Sequence, residues 1–139
     1  MAGKWLDDAV AELRAAAPAN VELTGWLSQE DLLERYRRAT VYVQASRHEG
    51  FGLAVAEAML AGCVPVVVNT TAMPEVVGEA GVLIGSQRPQ DVADGVRRAL
   101  ELGPDGARRA RQRILRSFPM ASRREGVLRV VEEALGRRA

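Results

Sequence analysis

Between Val41 and Val68 the chain runs Val-Tyr-Val-Gln-Ala, then a short polar loop, then an apolar stretch from about Phe51 to Ala61, and then Val-Pro-Val-Val-Val. The outer runs are rich in β-branched residues and of strand length. The middle one is too long for a strand and apolar on every face, as in a helix enclosed by a core. The pattern predicts strands at Val41–Ala45 and Val64–Val68 joined by a helix at about Phe51–Ala61, one βαβ unit with parallel strands. Upstream, Trp5, Leu6, Ala9, Val10 and Leu13 follow a helical period over Lys4–Ala17 that Pro18 ends. Asn20–Thr24 alternates apolar and polar and predicts a short strand. Ser28 with Asp31 three residues later predicts the N-cap of a helix from about Gln29 to Ala39. Downstream, a polar turn from Asn69 leads into a short helix at Glu75–Val77 and a strand at Gly81–Ile84. A helix at Pro89–Leu102 turns Val92, Ala93, Val96, Ala99 and Leu100 inward, Gly103-Pro104 breaks it, and helices follow at Asp105–Ser117 and about Pro119–Leu135. Strands alternating with helices predict an α/β fold, a Rossmann-like parallel sheet with helices on both faces.

Composition bounds this reading without changing it. With 139 residues, 47% hydrophobic and only 4% aromatic, the chain is expected to fold as one domain, 1–139, around an aliphatic core. The lone Cys63 excludes an internal disulfide framework, fits a reducing compartment, and in its apolar setting reads as a packing residue. The N-terminal residues lack the apolar run of a signal peptide and no stretch approaches a membrane span, so a cytoplasmic protein is expected. Charge is divided unevenly: residues 103–139 hold ten arginines against four acids, and residues 1–102 hold nine bases against fourteen acids. The basic helical segment 103–139 reads either as solvated surface arginines or as a face attracted to an anionic surface, with peripheral contact at the inner membrane as the sharper form. Without interleaved aromatics or a recognisable motif it does not read as a nucleic-acid binder.

The candidate chemistry lies at the start of the central helix. Glu57 is the only charged side chain between Gly50 and Val68. A carboxylate on so apolar a helix is expected to be buried and to have a polar partner waiting. Gly50 and Gly52 flank Phe51 and keep side-chain bulk away from N–H groups without intrahelical acceptors, an arrangement suited to an anion. Glu57 stands five residues beyond Gly52, about 7.5 Å along the axis at the usual helical rise, close to the span from a diphosphate to its ribose diol. Gly50-Phe51-Gly52 does not complete a dinucleotide fingerprint, because Val55 occupies the third glycine position. His48, the single histidine, reads as a loop residue.

Glu49-Gly50-Phe51-Gly52-Leu53 followed by Glu57 resembles the paired-glutamate motif, two Glu separated by seven residues, of the retaining glycosyltransferases of family 4, group 1, with the GT-B fold. The similarity continues through Glu57-Ala58-Met59, Gly62, Pro65-Val66-Val67, Pro74-Glu75-Val76-Val77-Gly78 and Gly81-Val82-Leu83-Ile84, and reaches back to Asn20-Val21-Glu22-Leu23-Thr24-Gly25. The resemblance implies the nucleotide-sugar donor domain, the C-terminal half of a GT-B enzyme. In the family's sheet order 3-2-1-4-5-6 this chain matches strands 3, 4, 5 and 6, so the first two strands, with the Arg and Lys that pair with the diphosphate, have no counterpart. Strand 3 would then pair directly with Val41–Ala45 or leave an edge open to self-association or a partner domain.

By the same resemblance, Glu49 positions the donor sugar, although a helix-start acid interacting with the macrodipole is the plainer reading. Phe51, Gly52 and Leu53 offer amides to the phosphate with Gly50 beside them, and Glu57 holds the ribose. Trp26 and Leu27 line the base pocket, or Trp26 anchors a core instead. Thr70 and Thr71 stand where relatives place glycines, and Phe118 matches an aromatic before the last helix. No cofactor and no protein-held metal are implied. Three functions follow: the donor half of a retaining hexosyltransferase, incomplete alone; a nucleotide-sugar binding module needing a separate N-terminal half; or a structural remnant without ligand.

Overall fold

The computed structural model describes residues 10–46 and 48–119, with Arg129 and Glu133 beyond them. Two compact units, Met1–Asp31 and Leu32–Ala139, divide the chain. In the first, residues 10–16 are helical and stop ahead of Pro18, whose carbonyl accepts the Val21 N–H at 2.9 Å in a turn. The strand expected at Asn20–Thr24 does not form: residues 21–25 have no regular structure, and Val21 and Leu23 remain exposed. Alternation marks a strand only where a neighbour completes its hydrogen bonds, and here no ladder does so. Ser28 does cap its helix. The Asp31 N–H donates to Ser28 Oγ at 3.1 Å, and that hydroxyl donates back to Asp31 Oδ2 at 2.6 Å.

Helix α1 (Gln29–Arg38) leads to a three-stranded parallel sheet of β1 (Val41–Gln44), β2 (Val64–Val68) and β3 (Val82–Ile84) in the order β1-β2-β3. The expected alternation of strands and helices after residue 40 is therefore present, with β1 rather than an upstream strand at the edge. Every residue of β2 is buried, as its unbroken β-branched run requires. Pro65 sits within this central strand because β3 begins to pair only at Val66, opposite Val82. Opposite Pro65 the chain carries Gly81, where any Cβ would strike the proline ring and its carbonyl oxygen.

The pleat of β2 sorts the core onto two faces. Val64, Val66 and Val68, with Val82 and Ile84, meet Ala99, Val92 and Val96 of helix α4 (Pro89–Glu101). Gly95 lets α4 approach closely, since a Cβ there would lie 2.7 Å from Ile84 Cγ2 and 2.8 Å from Val66 Cγ1. On the opposite face, Val67 joins helices α2 (Leu53–Ala61), α3 (Met73–Val77) and α5 (Gly103–Ser117) through Val55, Ala56, Met59, Met73, Val76, Val77, Ala110 and Ile114. Helices thus cover both faces. Cys63 is buried with Tyr36 and Ala58, and its thiol donates to the Tyr36 carbonyl at 3.1 Å. Burial pushes that thiol up, which suits a packing residue.

The arginines of α5 are partly structural. Arg111 Nη1 donates to the Leu60 carbonyl at 2.6 Å, near the C-terminus of α2. Arg113 Nη2 donates to the Glu75 carbonyl at 2.5 Å, and Arg113 Nε to the Val76 carbonyl at 3.4 Å, at the end of α3. Cations placed on the unpaired carbonyls of helix ends are favoured by the dipole as well as by the hydrogen bonds. Arg108 instead pairs locally with Asp105 at 2.7 Å. Most of the last helix expected at about Pro119–Leu135 lies outside the described residues. Among the described residues no helix is long and apolar enough to cross a membrane.

Candidate functional site at the start of α2

The chain leaves β1 at Gln44 and re-enters regular structure at Leu53, with Gly52 turning it into α2. Gly52 adopts φ 79°, in the left-handed region, and a Cβ on it would also collide with the Met73 methyl group. Glycine is required twice over at this position. The first intrahelical bond runs from the Ala56 N–H to the Gly52 carbonyl at 3.1 Å, so the amides before Ala56 have no acceptor within the helix. Gly52 itself is buried, whereas Gly50, Phe51 and Leu53 around it are exposed. Phe51 is held from the side by Phe118, the first residue after α5.

Glu57 is half-buried rather than enclosed, so the expectation of a buried carboxylate is corrected. α2 buries Val55, Ala56, Ala58 and Met59, and position 57 falls on the flank between the core face and solvent. Its charge acts on two tyrosines. Tyr42 on β1 and Tyr36 on α1 meet edge to face, with ring centroids 5.6 Å apart. The Tyr42 hydroxyl donates to Gln44 Oε1 at 2.8 Å. The Tyr42 phenol is pushed up to about 12, first by burial, then by Tyr36, and further by the charges of Glu49 and Glu57. The Tyr36 phenol is raised too, by burial and then by Glu57. The charges of both glutamates therefore act on one partly buried tyrosine, Glu49 from the loop and Glu57 from the helix.

The structure thus brings Glu49, Gly50, Phe51, Gly52, Leu53 and Glu57 together around the start of α2. Trp26 and Leu27 belong to the other compact unit. Trp26 is 97% exposed, which corrects the reading of it as a core anchor, and Leu27 is half-buried. His48 is exposed in the loop. After β2, the Thr70 N–H donates to the Val68 carbonyl at 2.8 Å and Thr71 takes φ 48°, so a β-branched residue holds a conformation that suits glycine.

A second polar cluster, which the sequence reading passed over, stands at the same C-terminal edge of the sheet. Val68, Thr70, Ser86, Gln87 and Arg88 line an open cavity of about 550 Å³. Ser86 Oγ donates to Asp91 Oδ2, the Arg88 N–H donates to Ser86 Oγ at 3.2 Å, and the Arg88 guanidinium reaches both Asp91 oxygens at 3.1 and 3.3 Å. The Ser86 hydroxyl and then Arg88 hold the Asp91 carboxyl below its ordinary range. A polar turn directly after a parallel strand is the signal that would have found these residues, since ligands of open α/β sheets gather outside the carboxyl ends of the strands.

Comparison with known proteins accords with this arrangement. The family model for glycosyl transferases group 1 matches residues 2–115. O-antigen chain mannosyltransferase B of Escherichia coli is 39% identical over 90 residues, covering 63% of this chain and 23% of that protein. GDP-mannose:cellobiosyl-diphosphopolyprenol alpha-mannosyltransferase of Xanthomonas campestris is 36% identical over 103 residues, covering 69% of this chain and 27% of that protein. The chain thus spans only about a quarter of the length of these two relatives. Among solved structures, sucrose-phosphate synthase from Thermosynechococcus elongatus superposes with a TM-score of 0.75 at 23% identity, over 96% of this chain and 34% of that one. The C-terminal domain of a group 1 glycosyl transferase from Francisella tularensis gives a TM-score of 0.68 at 21% identity, over 85% of this chain and 64% of that one. With the family model matching most of its length, and with a parallel sheet layered by helices as in GT-B glycosyltransferases, the chain belongs to the glycosyl transferases of group 1.

Proposed function

We propose that this chain is the donor-binding half of a retaining hexosyltransferase and takes up a nucleotide-diphosphate sugar at the start of α2. In this reading the N–H groups of the exposed Phe51 and Leu53 meet the diphosphate, which becomes the leaving group, and the buried Gly52 between them sets the turn that presents them. Helix-end dipoles and amides fixed before the reaction stabilise charge where it develops. Glu57 accepts hydrogen bonds from the ribose diol, and Glu49 orients the sugar. The observation that carries the reading is the glycine-opened start of α2, whose first amides have no acceptor within the helix, with Glu49 before it in the loop and Glu57 on its half-buried flank.

The relatives named as mannosyltransferases, one of them with GDP-mannose in its name, favour guanosine diphosphate and mannose for the donor. Acceptor binding and the second wall of the cleft fall to an N-terminal domain that these residues do not form, so the chain by itself is expected to bind donor without turnover. Positioning of the acceptor is a large share of the rate in such reactions. A partner domain and contact with a membrane through the arginines of 103–139 belong to the same proposal.

Calorimetric titration with guanosine, uridine and adenosine diphosphates tests it. The expected result is saturable binding with guanosine diphosphate preferred. Flat titrations with all three would leave only the structural remnant, and transfer by the isolated chain at ordinary enzymatic rates would overturn the division of labour.

A further inference from the structure

Gln87 spans the sheet where no strand pairing does. It lies in the turn after β3, yet its side-chain amide donates to the main-chain carbonyl of Ala45, 42 residues earlier and the first residue beyond β1. β1 and β3 are not neighbours, since β2 runs between them. The bond is therefore a strap over the C-terminal end of β2. It fastens the point where the chain departs for Glu49, four residues on.

The turn that carries Gln87 is itself anchored. Ser86 and Arg88 on either side are both bonded to Asp91 in the first turn of α4, and α4 is seated on the sheet through Gly95. Rigidity thus passes from α4 through Asp91 and the turn to Ala45. On the near side, Gln44 is held by the Tyr42 hydroxyl, the group whose proton both glutamates help retain. The departure point of the loop is fixed from two directions before Glu49 is reached.

We infer that Gln87 is a positioning residue for Glu49: by holding the Ala45 carbonyl it sets where the loop brings that carboxylate relative to the start of α2. The consequence for ligand rests on the donor-site reading above, whereas the strap itself does not. Losing the amide leaves the Ala45 carbonyl beside an open cavity where water can replace the donor, so the effect falls on loop geometry more than on folding.

The test uses the full chain with Gln87→Met, which keeps length and loses the donor, and Gln87→Glu, which sets an acceptor against the carbonyl. Backbone chemical shifts at Ala45, Ser46, His48 and Glu49 are expected to move in both variants, because the lost donor changes both the Ala45 carbonyl and the path of the loop that follows it, while those of Val64 and Val66–Val68 stay as in the wild type. Titration with guanosine diphosphate and with guanosine diphosphate mannose is expected to show the affinity for the nucleotide retained and the preference for the sugar-bearing form reduced. Unchanged shifts at Ser46, His48 and Glu49, equal changes throughout β2, or an intact sugar preference in both variants would overturn the inference. If the wild type binds neither nucleotide, the donor-site reading fails instead, and the shift data still decide whether the strap holds the loop.

Discussion

The ring of Phe51 meets the ring of Phe118 edge to face, with centroids 5.2 Å apart and planes at 77°. Phe51 precedes the glycine that opens α2, and Phe118 follows the last residue of α5, so this contact joins the end of one helix to the threshold of another. The Arg113 guanidinium lies 5.7 Å from the Phe118 ring centroid while the same side chain binds the carbonyls at the end of α3. Phe118 is thereby held on one side and holds Phe51 on the other.

Replacing Phe118 by Ala removes that support. An edge-to-face pair contributes about 0.5–1.5 kcal/mol beyond area burial. Because Phe118 is only half-buried, the total cost is expected near 2 kcal/mol, below the ~3–5 kcal/mol of a fully buried phenylalanine. Chemical denaturation measures it. Phe118→Leu is expected to recover most of the stability but not the ring geometry, so it separates packing from the positioning of Phe51. Near-equal losses for the two variants would show that the edge-to-face contact itself is what matters.

Thr71 offers a stabilising change. Its φ of 48° costs a residue with a Cβ about 1–2 kcal/mol. Glycine relieves that strain and gives back about 0.4–1 kcal/mol through the freer unfolded chain. Thr71→Gly is therefore expected to raise stability by about 0.5–1 kcal/mol, read as a higher denaturant midpoint with unchanged slope. A loss of stability would mean that the threonine hydroxyl contributes more than the strain costs.

Much of this architecture was legible because burial leaves a period in the sequence. The fully apolar run Val64–Val68 is the central strand, and Val92, Val96 and Ala99 at helical spacing are the face that α4 turns to it. Pro89 opens α4 and Gly62 ends α2 with φ 102°, as these residue types do elsewhere. The failure at Asn20–Thr24 is instructive, since alternation states which side of a strand would be buried but not whether a neighbour exists to pair with it. The short helix after β2 begins at Met73 rather than Glu75, because Pro74 is tolerated in a first turn where its missing N–H has no role.

At the candidate site, Gly52 could be read directly, because a special backbone angle is a local property, whereas the half-exposure of Glu57 could not. The edge-to-face pair of Tyr36 and Tyr42, the strap from Gln87 and the clasp of Phe51 by Phe118 could not be read either. Each depends on separate segments of the chain meeting in space, and polar or aromatic residues at such contacts leave no period behind.

Tyr42 makes the site observable without ligand. Its folded pKa of about 12 lies above its ordinary 10.0, so the protonated phenol is the form that folding favours. The stability it contributes is fully present below about pH 10 and is lost as pH rises towards 12. Tyr42→Phe is expected to flatten that alkaline decline in denaturation midpoints taken across the range. Since the charges of Glu49 and Glu57 both contribute, Glu49→Gln and Glu57→Gln should each lower the tyrosine titration followed by tyrosinate absorbance. With only two tyrosines in the chain, the two transitions can be assigned by substitution. A Tyr42 titration indifferent to both glutamates would separate the carboxylates that the donor reading brings together.

The two glutamates are expected to divide the ligand between them. If Glu57 holds the ribose through hydrogen bonds to a charged acceptor, Glu57→Ala weakens nucleoside diphosphate binding by about 1.5–3 kcal/mol, roughly 10- to 150-fold. The loss should be the same whether or not a sugar is attached. Glu49→Ala should leave the nucleotide affinity near that of the wild type and reduce only the added affinity for the nucleotide sugar. Folding stability should change little in either variant, because both side chains are only half-buried. Calorimetry with the free nucleotide and the nucleotide sugar on each variant resolves the two roles. A Glu57→Ala protein that binds nucleotide as tightly as wild type would remove the ribose contact, and a Glu49→Ala protein with an undiminished sugar preference would leave that residue as a helix-start acid interacting with the dipole of α2.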